Sequence, residues 1–494
     1  MSEMEYETII GLEVHVQLRT QSKLFCACRA DYQSASPNSL VCPVCLGMPG
    51  VLPVINENAV KYTIMTGLAL NCSISPQTKF DRKNYPYPDL MKGYQISQFD
   101  APIAVNGYLQ VDTDGHTTKV GITRVHLEED VAKLQHVNGH GEPHSLVDVN
   151  RSGVPLMEIV SEPDMRSAEE ARVYLNSVHS IIQYLEVSTA KMQDGSFRCD
   201  ANVSVRPTGS SQLGSKVEVK NMNSFRAVYN ALKLEVDRQV SLVEAGERVV
   251  QETRGWVEGR NVTVSQRSKE HAHDYRYFPE PDLPPLGIDP AWVEEIRAVL
   301  PELPVQRRER FINQYGLSSY DANLLTASKD TADYFESCLR VRQLEPQSLR
   351  ERAKSISNWV TVELARLVNL RDVEISEAGV TPENMVEMVE LIESGTVSTT
   401  LAKTVLEESF DTGKAPGEIV KERGFVQIGD SSVVEAAVEQ AIGSNAQAVA
   451  DYLSGKETAA KFLVGQVMKI TNGQAKPALV NDLVREKLGA IKIP

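Results

Sequence analysis

The sequence predicts an α+β protein in three parts: a mostly antiparallel sheet domain over residues 1–295, a helical domain over 296–410 and a small helical tail over 411–494. Two observations carry this reading. Apolar and polar residues alternate with a period of two, repeatedly, until close to Pro285, and beyond it the period becomes helical. A composition of 42% hydrophobic and 24% charged residues is globular, and 494 residues suffice for about three domains.

The elements follow in order. Leu12, Val14, Val16 and Leu18 face one way, and Glu13, His15 and Gln17 the other. Val125 and Leu127 oppose Arg124, His126 and Glu128. The clearest strand covers 197–206, where Phe197, Cys199, Ala201, Val203 and Val205 alternate with polar neighbours. Val217 and Val219 then alternate with Lys216, Glu218 and Lys220. Half-polar strands of this kind belong to an antiparallel sheet with one face on a core. A helix is expected over 167–185, with Ala171, Tyr174, Leu175, Val178, Ile181 and Ile182 as its stripe. After Pro285, Asp289 and Pro290 open a helix carrying Trp292, Ile296 and Val299. Thr381-Pro382 opens another, with Met385, Met388, Val389 and Ile392 inside and Gly395 at its end. The stretch 410–418 reads as a linker.

Charge narrows the function. With 51 basic and 66 acidic residues the net charge is −15, which excludes holding nucleic acid by an overall field. A local patch remains available, because the segment from Lys456 onward has seven Lys or Arg against three Asp or Glu. No apolar run reaches membrane-spanning length, and the acidic start MSEMEYETII leads directly into a strand. Seven cysteines without a secretory leader suggest a reducing compartment.

Four of those cysteines cluster as Cys26-x-Cys28 and, thirteen residues on, Cys42-x-x-Cys45. Thiolates this close can converge tetrahedrally on zinc, and Gly47 gives the CPVCLG turn room. Four sulfurs leave no open position, so the expected site is structural; the alternative is four reduced thiols in a loop. On the sheet, Glu13 and His15 project from one face, Glu128 sits beside His126 and Arg124, and Glu158, Asp200 and Glu218 add further carboxylates. This mixture suits divalent-metal and phosphate chemistry, the alternative being an ordinary solvated face. His136, His140 and His144 recur at intervals of four, but QHVNGHGEPH contains two glycines and a proline and reads as a hairpin tip. Neither a P-loop nor a Rossmann turn is visible, GSSQLGS at 209–215 reads as a turn between strands, and no nucleophilic triad stands out.

Several motifs together carry a family resemblance. GLEVHVQL, KFDRKNYPYPDLMKGYQISQFD, HLEED, DVNRSGVPLMEIVSEPDM, DGSFRCDANVSVRP, EVKNMNSF and HDYRYFPEPDLPPL closely resemble the GatB family of glutamyl/aspartyl-tRNA amidotransferase subunits. The resemblance runs from Tyr6 into the tail segment KFLVGQVMKITNGQAKPALV. Some members of that family lack the four cysteines, so zinc is a subtype feature.

The resemblance implies a cradle-like sheet domain of the glutamine synthetase and guanidino-kinase type, then a helical domain and a YqeY-like tail. It implies that ATP phosphorylates the side-chain carboxylate of Glu-tRNA(Gln) or Asp-tRNA(Asn), and that ammonia then displaces phosphate. An amidase-type A subunit would release that ammonia from glutamine, and a small C subunit would brace the pair. By family position His15, Glu128 and Glu158 are expected to bind magnesium, with Glu13 as an adjacent catalytic carboxylate. Arg198, Asp200, Arg206, Glu218 and Lys220 are expected to line the nucleotide or phosphate site. Lys83 and Glu129 correspond to the mouth of an ammonia passage, where Glu129 could accept a proton. Glu129 follows Glu128 onto the opposite side of an ideal strand, so that role requires a bend. The segments Tyr85-Pro86-Tyr87 and 275–278 are suited to stacking on the terminal adenosine. Lys461, Lys469, Lys476 and Arg485 are expected to contact the tRNA body through shape and phosphate. The implied cofactors are ATP, Mg²⁺ and structural Zn²⁺, and the implied location is the cytoplasm, or an organelle's stroma or matrix.

Overall fold

The computed structural model describes residues 5–491 apart from 114, 138–143, 269–274, 344, 426–430, 455, 472–474 and 476. The chain divides into two compact units, Met1–Leu303 and Pro304–Pro494. The first is built on a nine-stranded sheet. From edge to edge its strands are Val262–Ser268, Glu252–Val257, Val217–Lys220, Phe197–Pro207, Tyr6–Gln17, Pro155–Ser161, His116–Glu129, Ala104–Thr113 and Ser73–Ile74. One neighbouring pair, Val217–Lys220 with Glu252–Val257, is parallel; the others are antiparallel.

The period-two pattern of the sequence becomes two unlike faces. Leu12, Val14, Val16, Val125, Leu127, Ile159, Ala201 and Val203 are all buried on one face, in a core shared with helices Glu57–Ala69, Ala168–Tyr184 and Phe225–Glu244. Ser167 caps the second of these helices by accepting the Glu170 amide at 3.1 Å, and the expected stripe from Ala171 to Ile182 is buried. Helix Pro290–Ala298 starts where Asp289 accepts the Ala291 amide at 2.8 Å. Its Ile296 enters the sheet core together with Trp292, which carries the first unit past the expected boundary at 295 to Leu303. The strands Lys133–Val137 and His144–Asp148 form the expected hairpin, with His136 and His144 on its arms; His140 lies outside the described residues.

The second unit is helical and has two separate cores, one running from Phe311 to Val420 and the other from Val434 to Leu488. Helix Pro416–Arg423 contributes Ile419 and Val420 to the first core, so the expected division near 410 moves beyond this helix. The expected linker is therefore largely helical, broken at Gly413, whose φ of +71° ends helix Thr399–Thr412. Thr381 caps helix Pro382–Glu393, accepting the Asn384 amide at 3.2 Å, as its sequence predicts. No helix among the described residues is long and apolar enough to cross a membrane.

The first helical core is pinned by one carboxylate. Glu336 accepts from Arg307 at 2.6 Å, Arg310 at 2.7 Å and the Tyr315 hydroxyl at 2.9 Å. Burial works to raise its pKa, but the two guanidinium groups and the phenol outweigh burial and hold it at about 2. Because the folded value lies below the ordinary 4.5, the stabilisation is present above pH 4.5 and is lost as pH falls toward 2. Glu336→Gln removes the charge that Arg307 and Arg310 share and leaves Arg307 with Asp333 at 2.7 Å, so it should cost about 2 kcal/mol at pH 7. Thermal unfolding of the variant should also depend less on pH below 4.5 than that of the parent chain; identical acid profiles would refute this role.

Candidate active site and cysteine cluster

The polar face of the sheet gathers side chains from strands far apart in sequence. Register sets Arg198, His15, Glu158 and His126 in one cross-strand row over four adjacent strands. Glu13 lies one step along, opposite Asp200. The face floors a cleft of about 760 Å³, lined also by Glu128, Glu218, Lys220, Lys83, Tyr85, Tyr275 and Tyr277.

At its centre, His15 Nε2 lies 3.6 Å from a Glu158 oxygen and 4.0 Å from a Glu128 oxygen. His126 Nε2 approaches Glu158 from the other side at 3.4 Å. Ser97 donates to Glu128 at 3.3 Å. His15, Glu128 and Glu158 each offer a donor atom, and these atoms lie within 4.8 Å of one another. Two carboxylates and an imidazole in buried surroundings form a donor set that fits a hard divalent cation such as Mg²⁺.

The two histidines titrate in opposite directions. Burial disfavours the charged ring of His15, but Glu158, Glu128 and Asp200 overcome it and lift the group to about 9. For His126 burial wins, reinforced by Arg124 and Lys83, and the group falls to about 4. Glu158 is driven below the ordinary carboxylate range: burial opposes its charge, but His126, His15 and Lys83 prevail. Glu128 is raised by burial and by the Glu158 charge, as is Glu13. Asn202 steadies Glu13 with a 2.8 Å hydrogen bond.

A second group of charges lies beside this centre. Lys220 bridges Asp200 at 2.5 Å and Glu218 at 3.1 Å, while Thr253 donates to Glu218 at 2.8 Å. Arg198 is held by Asp130 at 3.0 Å, and Asp130 also accepts from Gln17 at 2.7 Å. Four of the five residues expected at the phosphate site thus share the cleft. Arg206 does not. It pairs with Glu7 at 2.7 Å, six residues along its strand from Asp200 and so about 20 Å away.

Lys83 and Glu129, both expected at the mouth of an ammonia passage, line different cavities. Lys83 faces the cleft, its ammonium 5.1 Å from the Tyr275 ring. Burial works against that charge, but Glu128, Tyr277, Glu158 and Tyr85 together outweigh it and raise the pKa. The strand keeps its register through Glu129, opposite Pro155, so no bend brings this side chain round. Glu129 instead lies on the reverse side, salt-bridged to Lys92 and accepting the Ile96 amide at 2.9 Å. There it lines a separate cavity of about 210 Å³ with Arg82, Glu280 and Cys45.

The aromatic segments form one wall of the cleft because strand Asp81–Asn84 pairs with Phe278–Pro279. Tyr85 meets Tyr275 edge-on at 5.7 Å, and Tyr277 stacks on Phe99 at 4.2 Å. Sequence reasoning missed the parts played by His126, Asp130, Ser97 and Lys92. The acidic run of HLEED hinted at Asp130, but the other contacts exist only across strands.

The four cysteine sulfurs converge within 4.8 Å of one another. Gly47 takes φ of +68°, and a Cβ there would lie 2.2 Å from Lys92, so the turn requires glycine. The Cys26 thiol's hydrogen bond holds Cys45 down at about 4, and the same contact, with burial, raises Cys26. In the helical unit Lys461, Lys469 and Arg485 are exposed, and Lys476 lies outside the described residues.

Comparison with known proteins identifies the family. A profile of the GatB/GatE catalytic domain matches residues 8–294, and a GatB domain profile matches residues 334–488. The chain is 54% identical over 488 residues to the GatB-type subunit of the aspartyl/glutamyl-tRNA(Asn/Gln) amidotransferase from Carboxydothermus hydrogenoformans, covering 99% of this chain and 100% of the relative. It is likewise 54% identical to the same subunit from Dehalococcoides mccartyi over 487 residues, covering 98% of this chain and 99% of the relative, and from Moorella thermoacetica over 485 residues, covering 98% and 100%. With more than half its length matched by the first profile and relatives aligned end to end, the chain belongs to the GatB family of amidotransferase subunits.

Proposed function

We propose that this chain is the subunit of a tRNA-dependent amidotransferase that activates and amidates the side-chain carboxylate of Glu-tRNA(Gln), Asp-tRNA(Asn) or both. The observation that carries the reading is the row Arg198, His15, Glu158 and His126, with Glu128 beside it, inside a cleft edged by cations. A carboxylate is a poor electrophile. Its oxygen attacks the γ-phosphorus of ATP, ADP departs, and the acyl phosphate presents a carbon that ammonia can attack. Phosphate then leaves with one of the original carboxylate oxygens.

Such a transfer asks for positioning and charge neutralisation rather than a protein nucleophile. His15, Glu128 and Glu158 would hold Mg²⁺, with Glu13 alongside. Bound there, Mg²⁺ supplies positive charge to the oxygens of the transferring phosphoryl group. Arg198 and Lys220 orient and neutralise phosphate oxygens, and Lys83 meets the substrate carboxylate near the aromatic wall. That wall offers faces for the unstacked terminal adenosine. On the reverse side Glu129, beside Lys92, accepts a proton from ammonium before ammonia reaches the cleft. A glutaminase-type A subunit supplies the ammonia and a small C subunit braces the assembly. The sheet unit acts as the cradle, and the YqeY-like tail contacts the tRNA through Lys461, Lys469 and Arg485.

In the reconstituted complex, ATP hydrolysis should be stimulated by Glu-tRNA or Asp-tRNA and not by free glutamate or aspartate. His15→Ala and Glu128→Ala should each lower amidation about 100-fold or more while tRNA affinity is kept. Amidation that survives both substitutions would leave only a scaffold.

The cysteine cluster fits a structural zinc ion, held by four sulfurs with no open position. Metal analysis should find one zinc per chain, with the four thiols protected from alkylation until a chelator removes it. Absence of zinc together with free reactivity of all four thiols would discard the site.

A further inference from the structure

Where three strands of the sheet end together, one buried carboxylate ties the cleft to the cysteine-bearing loop. We propose that Asp130 is a positioning residue that fixes the guanidinium of Arg198 at the cleft and is itself fixed, through Gln17 and Tyr32, by the loop between Cys28 and Cys42, a role that rests on the phosphate-binding reading of Arg198 above.

Gln17 closes strand Tyr6–Gln17, Arg198 stands near the start of Phe197–Pro207, and Asp130 directly follows His116–Glu129. Alternation returns Asp130 to the side that Glu128 occupies, and it lines the cleft at the end of the strand. Its side chain is only 2% exposed, and both of its oxygens are engaged. Oδ2 accepts from Gln17 at 2.7 Å and from Arg198 at 3.0 Å. Oδ1 accepts the Val131 amide at 2.9 Å and lies 3.7 Å from Arg151. Arg151 is itself anchored to backbone, donating to the carbonyls of Val131 at 2.8 Å and Ala132 at 2.9 Å. The carboxylate is therefore held in place from three directions before it meets Arg198.

Arg198 is bound in a way that suits aiming rather than bracing. An arginine–carboxylate pair commonly closes as two parallel bonds. Here, among the described residues, the guanidinium donates only to Asp130, and Nε is buried without a partner. The remaining donors are left to a ligand. Asp130 is the strongest attraction on this guanidinium, but Glu128 and Asp200 in the cleft pull on it as well. Without the Asp130 charge it would turn toward those two carboxylates, lose its aim at phosphate, and neutralise the Glu128 carboxylate that would hold Mg²⁺. The outer end of the chain lies outside the cleft. The Gln17 amide nitrogen carries two hydrogens, one donated to Asp130 and the other to the Tyr32 hydroxyl at 3.1 Å. A loop that lends no side chain to the cleft thus sets the orientation of a cleft arginine through three successive hydrogen bonds.

The test is a double-mutant cycle on the full chain in its reconstituted complex. Asp130→Asn keeps the shape and an accepting oxygen but removes the charge. It should raise the KM for ATP about tenfold and leave the KM for aminoacyl-tRNA within about twofold. In an Arg198→Ala background the same substitution should change the KM for ATP by less than about twofold, because the group it positions is gone. A KM for ATP raised by Arg198→Ala but not by Asp130→Asn would overturn the positioning role and leave the phosphate-binding reading intact. A KM moved by neither would overturn both. Effects that simply multiply would make Asp130 a general support of the fold and also refute the proposal. Where Asp130→Asn fails to assemble, Tyr32→Phe decides, since it changes neither member of the pair. It should raise the KM for ATP about two- to threefold, and only while Arg198 is present; no rise would refute the proposal.

Discussion

The register of the central strand Tyr6–Gln17 is the constraint on which the catalytic unit depends. It pairs with Pro155–Ser161 on one side and Phe197–Pro207 on the other, and so sets His15 between Glu158 and Arg198. A slip of one residue would exchange Leu12, Val14 and Val16 for Glu13, His15 and Gln17 in the core. Each of the three apolar side chains is fully buried and contributes about 2 kcal/mol, so the hydrophobic face alone holds the register firmly. The apolar face thereby aims the polar one. Packing on the helices and the geometry of the cleft are two readings of one alternation.

That alignment produces electrostatics that neither strand carries alone. Glu158 lies between two imidazoles, and its surroundings make one of them a stronger base and the other a weaker one. The carboxylate stays ionised in a buried place, which is what a cation-binding position requires. Across the strand, Glu129 faces the opposite way into a cavity shared with the cysteine loop. The same strand therefore presents one carboxylate to the cleft and the next to a cavity behind it. The His15–Glu158 cluster and the Glu129 carboxylate are separated by the thickness of one backbone.

Much of this is legible in the sequence because period two is a strong signal. The strand over 197–206, the short strand ending at Lys220 and the capped helices after Ser167, Asp289 and Thr381 all appear where the pattern puts them. The cysteine cluster is legible because its members are close in sequence. Arg206 escapes the pattern because alternation gives a residue's face but not its distance along the strand, and its partner Glu7 is defined by pairing. Glu129 and Lys83 are both expected at one passage mouth, yet the strand keeps its alternation through Glu129 and the two line different cavities. The domain limits shift for a packing reason: Ile296 and Val420 each belong to the core that precedes them.

Cleft, cations and carboxylate centre all serve one claim, that the substrate carboxylate is phosphorylated before it is amidated. The direct measurement uses Glu-tRNA carrying ¹⁸O in the side-chain carboxylate, turned over by the complete amidotransferase with ATP and glutamine. Phosphate formed through the acyl phosphate must carry one ¹⁸O from that carboxylate for each Gln-tRNA made. Inorganic phosphate free of the label, with Gln-tRNA formed at the normal rate, would contradict the account.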